Sequence, residues 1–569
     1  MSSKQKKPAQ KTPVTQNDHK AIPQEKVAAG FVIRYPILLL ALVAFAIYIP
    51  SLFMKFTELD DTIFIRNFAN YNDDIHNLVT SFGRGLFDAV KDPYYRPLFL
   101  DAMILNFQVS GMEPFGYHFV NVLLHVTAVV LLYRLFLRLK IKEVHALVLS
   151  LLFAVHPVLS QAVAWIPGRN DTMLAIFVLA FLSACIDYSN SGRSKSLLLS
   201  AVWLLLAFFT KETAVFAAPA AFVLIVFALQ KNWRDKHNIA LYGVWIGCFV
   251  VWFTARSMTS IEAAGIGTQS FTDFIHRLPV IIQYTGKIFL PFNQSVFPIQ
   301  EDTVYYYGVG AIVLLAAILW LNKDRNNRII ISGFAVFLLF LMPALLVPMK
   351  LNSQTFEHRL YLPMIGMLIV LSQSALFATK LSDKSVYITG VIICGVLAIL
   401  NFMHQQNFSD PVTFWESAVK TSPNSAFANV MLGERLPKDQ VARSESLFRK
   451  AYQLNPREKY VNFYLAEALQ KKDSVLASEP YLLAEKEISG YYQCDFLLAY
   501  VAMKKNDLLS AISYLEQFLK NDPSNKSAEN NLMLLYMDTH QMGKAQDQVR
   551  KMRQKGMEVP PVILKQLNM

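Results

Sequence analysis

Eleven mostly apolar stretches, each near the length of a membrane span, follow one another between positions 34 and 403. They leave the chain few ways to fold. A helix of about 20 apolar residues crosses the hydrocarbon core of a bilayer, and only a helix or a closed barrel can satisfy its backbone there. The stretches are 34–54, 116–137, 144–165, 171–188, 196–210, 213–230, 239–257, 303–321, 328–348, 359–379 and 385–403. Their length and lack of strict alternation predict helices, and so a polytopic membrane domain over 34–403. Segment 278–298 is also apolar but contains Pro279, Lys287 and Pro291. It is expected to lie in the interface, or to re-enter the membrane shielded by protein.

The gaps between stretches predict the sides. Lys4, Lys6, Lys7, Lys11, Lys20 and Lys26 precede the first stretch, and every second gap after it is basic. These gaps hold Arg138 with Lys140 and Lys142; Arg193 with Lys195; Lys231, Arg234 and Lys236; Lys323, Arg325 and Arg328; and Lys380 with Lys384. Basic loops stay cytoplasmic. Residues 1–33 therefore read as a basic cytoplasmic tail before a retained first anchor, and everything after 403 as lying on the opposite side. The same distribution accounts for the formal charge of +12 and argues against a nucleic-acid partner. Only 17% of residues are charged, against about 25% in soluble domains. Cys185, Cys248, Cys394 and Cys494 have no disulfide or metal spacing.

Polarity changes near 404, and self-similarity begins. Ser444, Ala477, Ala511 and Ala545 recur at intervals of 33 to 34 residues. Four residues after each stands a large residue (Phe448, Tyr481, Leu515, Val549), and three further on Ala451, Ala484, Phe518 and Met552. Pro456 and Pro523 close two units, and Trp415, Ala418 and Pro423 form a half-unit in the same frame. Small residues at such intervals allow close helix crossings in tetratricopeptide arrays. The predicted fold class is all-α: a membrane helical domain of about 11 spans, then a tetratricopeptide α-solenoid over 404–569 with a half-unit and about four repeats. Such arrays offer a concave surface to peptides.

Ionisable residues at membrane depth are costly, so those retained point to function. The first outer loop, about 55–115, opens on Glu58, Asp60 and Asp61. A carboxylate there can take a proton from an attacking hydroxyl, or simply cap the next helix. Later outer turns carry Arg96 after Tyr94-Tyr95; His156; Gly168-Arg169-Asn170-Asp171; Lys211-Glu212-Thr213; and Glu357-His358-Arg359 with Tyr361 close by. Arg grips phosphate with a fork of donors, and Lys acts as a point charge. Snorkelling to the interface is the plain alternative for any one of these cations. Their convergence in four outer loops favours a site.

Together these motifs resemble the transmembrane-and-tetratricopeptide-repeat O-mannosyltransferases and their bacterial relatives, within the C-type integral-membrane glycosyltransferase superfamily. The resemblance rests on Asp60-Asp61, then Tyr95-Arg96-Pro97-Leu98, and Gly116-x-His118-Phe119-x-Asn121-x-Leu123-Leu124-His125. It continues through Phe153-Ala154-Val155-His156-Pro157-Val158, Ala162-Val163-Ala164-Trp165-Ile166-x-Gly168-Arg169, Lys211-Glu212-Thr213 and His358-Arg359-Leu360-Tyr361-Leu362-Pro363.

The resemblance implies a membrane hexosyltransferase moving a sugar, typically mannose, from a polyprenyl-phosphate donor to Ser or Thr hydroxyls of proteins. Asp60 or Asp61 would be the base, and Arg96, Arg169, Lys211 and Arg359 would hold the lipid phosphate. Glu58, His156, Glu212, Glu357, His358 and Tyr361 would support them. No cofactor beyond the lipid-linked donor is expected and nothing in the sequence demands a metal, with a divalent ion left open; the partners would be the lipid-linked sugar, acceptor proteins and membrane lipids. A bacterial inner membrane is favoured over the endoplasmic reticulum, with the repeats periplasmic or lumenal. A transporter would predict inverted repeats and broken helices; a non-catalytic scaffold would explain the array but not the charged outer turns.

Overall fold

The computed structural model describes residues 2–3, 33–87, 94–259, 268–347, 349 and 353–569. The chain divides into Met1–Arg34 and Tyr35–Met569. The expected basic tail, 1–33, lies almost wholly outside the described residues. The second unit is helical among the described residues, with one isolated bridge between Ile299 and Gln354.

Five helices are long and apolar enough to cross a membrane: Pro114–Arg138, Ile166–Ser191, Lys236–Ser257, Asn327–Leu346 and Asp383–Phe408. A sixth candidate is the pair Glu143–Val155 and Pro157–Ala164, bent by 53°. The bend has a local cause, since a residue before proline avoids the helical region, and His156 is extended at that point. Pro36–Ala46, Ser194–Thr210, Glu212–Ala228 and Tyr306–Leu321 are apolar but shorter. The stretch expected to span at 359–379 holds the nine-residue α-helix Pro363–Leu371, every residue of which is buried, between the short 3-10 turns Glu357–Leu360 and Ala375–Phe377. At about 1.5 Å per residue that helix reaches less than half way across a bilayer of about 30 Å. The chain is multi-pass by its longer helices.

Segment 278–298 forms the helix Val280–Phe289, again too short to span, followed by irregular chain. Two helices approach closely at Gly333 and Gly366, where a Cβ on either residue would strike the other's backbone.

From Pro411 onward, successive helices pack each on the next through Met542–Gln554. Asp410, Ser425, Asp507 and Asn525 cap four of them with their side chains. Ala511, Leu515 and Phe518 are buried as their spacing suggests, and so are Ala545, Val549 and Met552. The unit at 477 differs. Ala477 is exposed in a short turn, whereas Ser478, Leu482 and Glu485 are fully buried, one residue later. Pro480 sets the reason, because Pro suits the first turn of a helix and the helix begins at Glu479. Glu485 then accepts from the Tyr460 amide at 2.8 Å and from Ser489 at 2.6 Å.

The helices that follow Pro411 join loops from earlier in the chain in one apolar cluster. Trp415, Phe414, Ala428 and Leu432 pack with Trp165, Phe297 and Phe356. Ser422 adds a hydrogen bond of 2.7 Å to the Phe297 carbonyl.

Candidate active site

After the short first helix, the chain reaches Glu58 at φ 57°, a left-handed conformation that non-glycine residues seldom adopt. Asp60 and Asp61 follow, and the local turns separate their roles. Asp61 is 1% exposed. Its carboxylate accepts from the Thr57 amide at 2.6 Å, the Thr57 hydroxyl at 3.1 Å and the Thr62 amide at 3.1 Å. It thereby closes the turn and caps the helical segment Thr62–Asn67. Asp60 is half-buried and lines a cavity of about 460 Å³; its carbonyl accepts from the Phe64 amide at 3.1 Å, while its carboxylate accepts no hydrogen bond among the described residues. Burial pushes its carboxyl up to about 6; the charge of Asp61 adds to the rise and that of Arg96 opposes it.

Cations from three separate turns share that cavity: Arg96, Lys211 and Arg359. Arg96 is the residue before Pro97, at the start of Pro97–Ser110. Its Nε lies 3.1 Å from Glu212, whose other oxygen accepts from the Tyr95 amide at 2.9 Å. Lys211 leaves the end of Ser194–Thr210 and meets Asp171 at 2.7 Å. Arg359 donates to the Gln354 carbonyl at 2.8 Å and lies over the Phe356 ring. His358, held by Gln161 at 3.2 Å, also lines the cavity. Burial holds its imidazole neutral, reinforced by the charges of Lys211, Arg359 and Arg96. Phe216, Phe340, Leu346 and Val347 supply an apolar wall. One cavity thus offers an unengaged carboxylate, fixed cations and a greasy side, which suits a ligand with a hydroxyl, an anion and a hydrocarbon tail.

Other expected site residues do not reach it. Arg169 is fully buried, and its guanidinium is engaged inside the protein. It donates to Asn121 at 2.8 Å, Ala102 at 3.1 Å, Asn106 at 2.7 Å and Tyr117 at 2.9 Å. With its fork so occupied, it braces helices and does not face a phosphate. Glu357 is likewise fully buried, away from the cavity, with Lys287 at 2.5 Å and His404 at 3.2 Å. Burial opposes its charge, but Lys287 and His404 hold the carboxyl below its ordinary value. His156 bonds the Ile288 carbonyl at 2.8 Å and braces the helix bend. Tyr361 meets His125 at 2.7 Å in the core. Glu58 pairs with Arg66 at 3.0 Å and with Arg435 of the array at 3.3 Å.

Asp171, Tyr94 and Trp165 line the cavity although sequence reasoning gives them no role. Asp171 has a signal that could have found it, since it ends the Gly168-to-Asp171 motif and is the only acid there. Lys287 stands out in the sequence only as an obstacle to spanning. Among the described residues, no group of three or more His, Cys, Asp or Glu is placed to hold a metal ion.

Comparison with known proteins gives a consistent picture. Residues 96–255 match the family described as dolichyl-phosphate-mannose-protein mannosyltransferase. The human protein O-mannosyl-transferase TMTC1 is 23% identical over 442 residues, covering 66% of this chain and 49% of that protein. Its mouse counterpart is 39% identical over 137 residues, 23% of this chain and 14% of that one. The Drosophila melanogaster Tmtc1 is 37% identical over 136 residues, 24% and 16% of the two chains. The chain spans about half the length of the first of these relatives. A crystal structure of the Archaeoglobus fulgidus oligosaccharyltransferase tethered with an acceptor peptide aligns with TM-score 0.41 at 12% identity. That alignment covers 74% of this chain and 59% of the other.

Proposed function

We propose that this relative of the protein O-mannosyltransferases transfers a sugar, mannose by kinship, from a polyprenyl-phosphate carrier to Ser or Thr hydroxyls of proteins. The observation that carries the reading is Asp60: a carboxylate without a hydrogen-bond donor among the described residues, in one cavity with Arg96, Lys211 and Arg359. The acceptor oxygen forms a bond to the anomeric carbon while the bond from that carbon to the phosphate oxygen breaks. The hydroxyl proton passes to Asp60. The electron pair departs on the phosphate, whose growing charge the three cations match. Asp61 positions the loop, and Glu212 and Asp171 hold Arg96 and Lys211 in place. The apolar wall receives the first isoprene units.

The topology proposed with it has residues 1–33 cytoplasmic, 34–403 as the transferase domain, and 404–569 as a tetratricopeptide array on the periplasmic or lumenal side. About eleven passages would be made, the shorter apolar helices and the 359–379 stretch included. The deciding experiment combines purified full-length protein, radiolabelled polyprenyl-phosphate mannose and Ser/Thr peptides. Transfer that is lost in Asp60→Asn at equal protein level supports the reading. No transfer from any such donor, with the protein folded, overturns it.

A further inference from the structure

Asp60 lines two cavities. The first holds the cations; the second, of about 590 Å³, shares only Asp60 and Phe356 with it among the described lining residues. The second cavity is walled by two distant parts of the chain. Phe297 and Gln354 come from outer loops, while Asn424, Phe427 and Glu458 come from the first helices of the array. Its volume falls within the range of sites that take ligands.

The two walls are fixed to one another. Arg435 pairs with Glu58 at 3.3 Å. The Asn424 amide and side chain both donate to Asp302, at 2.9 and 2.6 Å. The floor is aromatic: Phe297 stands edge-on to Phe356 at 5.6 Å and stacks with Phe427 at 5.7 Å. Glu301 and Glu458 border it with carboxylates.

Displacement at a sugar carbon in one step brings the nucleophile to the face opposite the leaving group, with a base beside the nucleophile. If the lipid phosphate occupies the cationic cavity, the hydroxyl must arrive from elsewhere and still reach Asp60. We propose that the second cavity receives the acceptor: an extended polypeptide segment that lays its Ser or Thr against Asp60, with Lys or Arg near that residue favoured by Glu301 and Glu458. The inference rests on the transferase reading above and adds to it the entry route and a charge preference. The array is then a wall of the reaction chamber itself.

The test uses full-length protein with polyprenyl-phosphate mannose and two peptides that differ only in Lys or Asp beside the acceptor Ser. The Lys peptide is expected to show the lower acceptor KM. Charge reversal in the double variant Glu301→Lys, Glu458→Lys should move that preference about fivefold toward the Asp peptide, the scale of exposed ion pairs, with donor KM unmoved. A photo-crosslinking residue next to the Ser should label 424–427 or 454–458. Labelling confined to other segments, or a preference untouched by charge reversal, overturns the inference. The transferase reading survives such a result if Asp60→Asn still abolishes transfer. If Asp60→Asn transfers normally, both fall.

Discussion

Arg435 reaches out of the C-terminal array to hold Glu58, two residues before Asp60. Its Nε lies 3.3 Å from a Glu58 carboxylate oxygen, and its Nη2 donates to the Glu58 carbonyl at 3.3 Å. Glu58 is at φ 57°, a conformation that persists where surrounding contacts enforce it. Arg435→Ala is therefore expected to lower kcat about tenfold, the scale of a small misplacement of a reacting group. Donor KM should stay within about twofold on the same ground, and Arg435→Lys should restore part of the rate. Arg435 also lies over the Trp415 ring, so Tm is measured alongside. A normal kcat with a lowered Tm would make the contact purely structural.

The adjacent acids should part company on mutation. Asp60→Asn keeps the shape but cannot take the proton, so transfer should fall by about 10²–10⁴-fold with little change in Tm. Asp61→Asn sets an amide against the Thr57 and Thr62 donors, at a cost of about 1–3 kcal/mol in stability. Kinetics and thermal unfolding of both variants check the assignment. Equal kinetic losses with no difference in stability would contradict it.

The pH profile follows from the Asp60 carboxyl at about 6. The base works ionised, so kcat/KM should rise with pH up to about 6 and level off above it. Arg96 lowers this value and Asp61 raises it. Arg96→Ala should move the acid limb to higher pH, and Asp61→Asn to lower pH. Folding has the opposite sign to the usual carboxylate. A carboxyl raised in the folded state contributes stability at low pH that is lost as pH rises from about 3.8 towards about 6. Profiles of the three proteins with one peptide test the shifts.

Glu357 and Lys287 form a buried pair, with side chains 0% and 1% exposed. Glu357→Ala leaves the ammonium with the Asn293 carbonyl at 3.0 Å as its remaining described partner. Removing one member of a buried pair costs about 3–5 kcal/mol, so this variant should show a larger fall in Tm than Asp60→Asn, Asp61→Asn or Arg435→Ala. The material that remains folded should bind donor normally, because neither residue lines the cationic cavity. A loss of donor affinity at normal Tm would return Glu357 to a supporting role in the donor site.

Hydropathy and charge are local properties, and what depends on them was legible in the chain: a helical multi-pass domain, and the turns between apolar stretches that carry Asp60, Arg96, Lys211 and Arg359. Residue spacing also located the buried faces at Ala511 and Ala545. It missed by one residue at Ala477, because Pro480 shifts the helix start and no periodicity records that. Hydropathy likewise does not record how far a helix runs: the apolar stretch at 359–379 holds the nine-residue α-helix Pro363–Leu371. What only tertiary structure decided are pairings between distant positions. Arg169 and Arg96 both stand in turns between apolar stretches, yet one is taken up by Asn121 and Asn106 while the other faces the cavity. Asp61 and Asp60 are neighbours, yet one is saturated by Thr57 and Thr62 and the other left open. Whether a charged group is available depends on which donors and acceptors the folded chain brings within about 3 Å of it, and that proximity is set by packing between elements far apart in sequence.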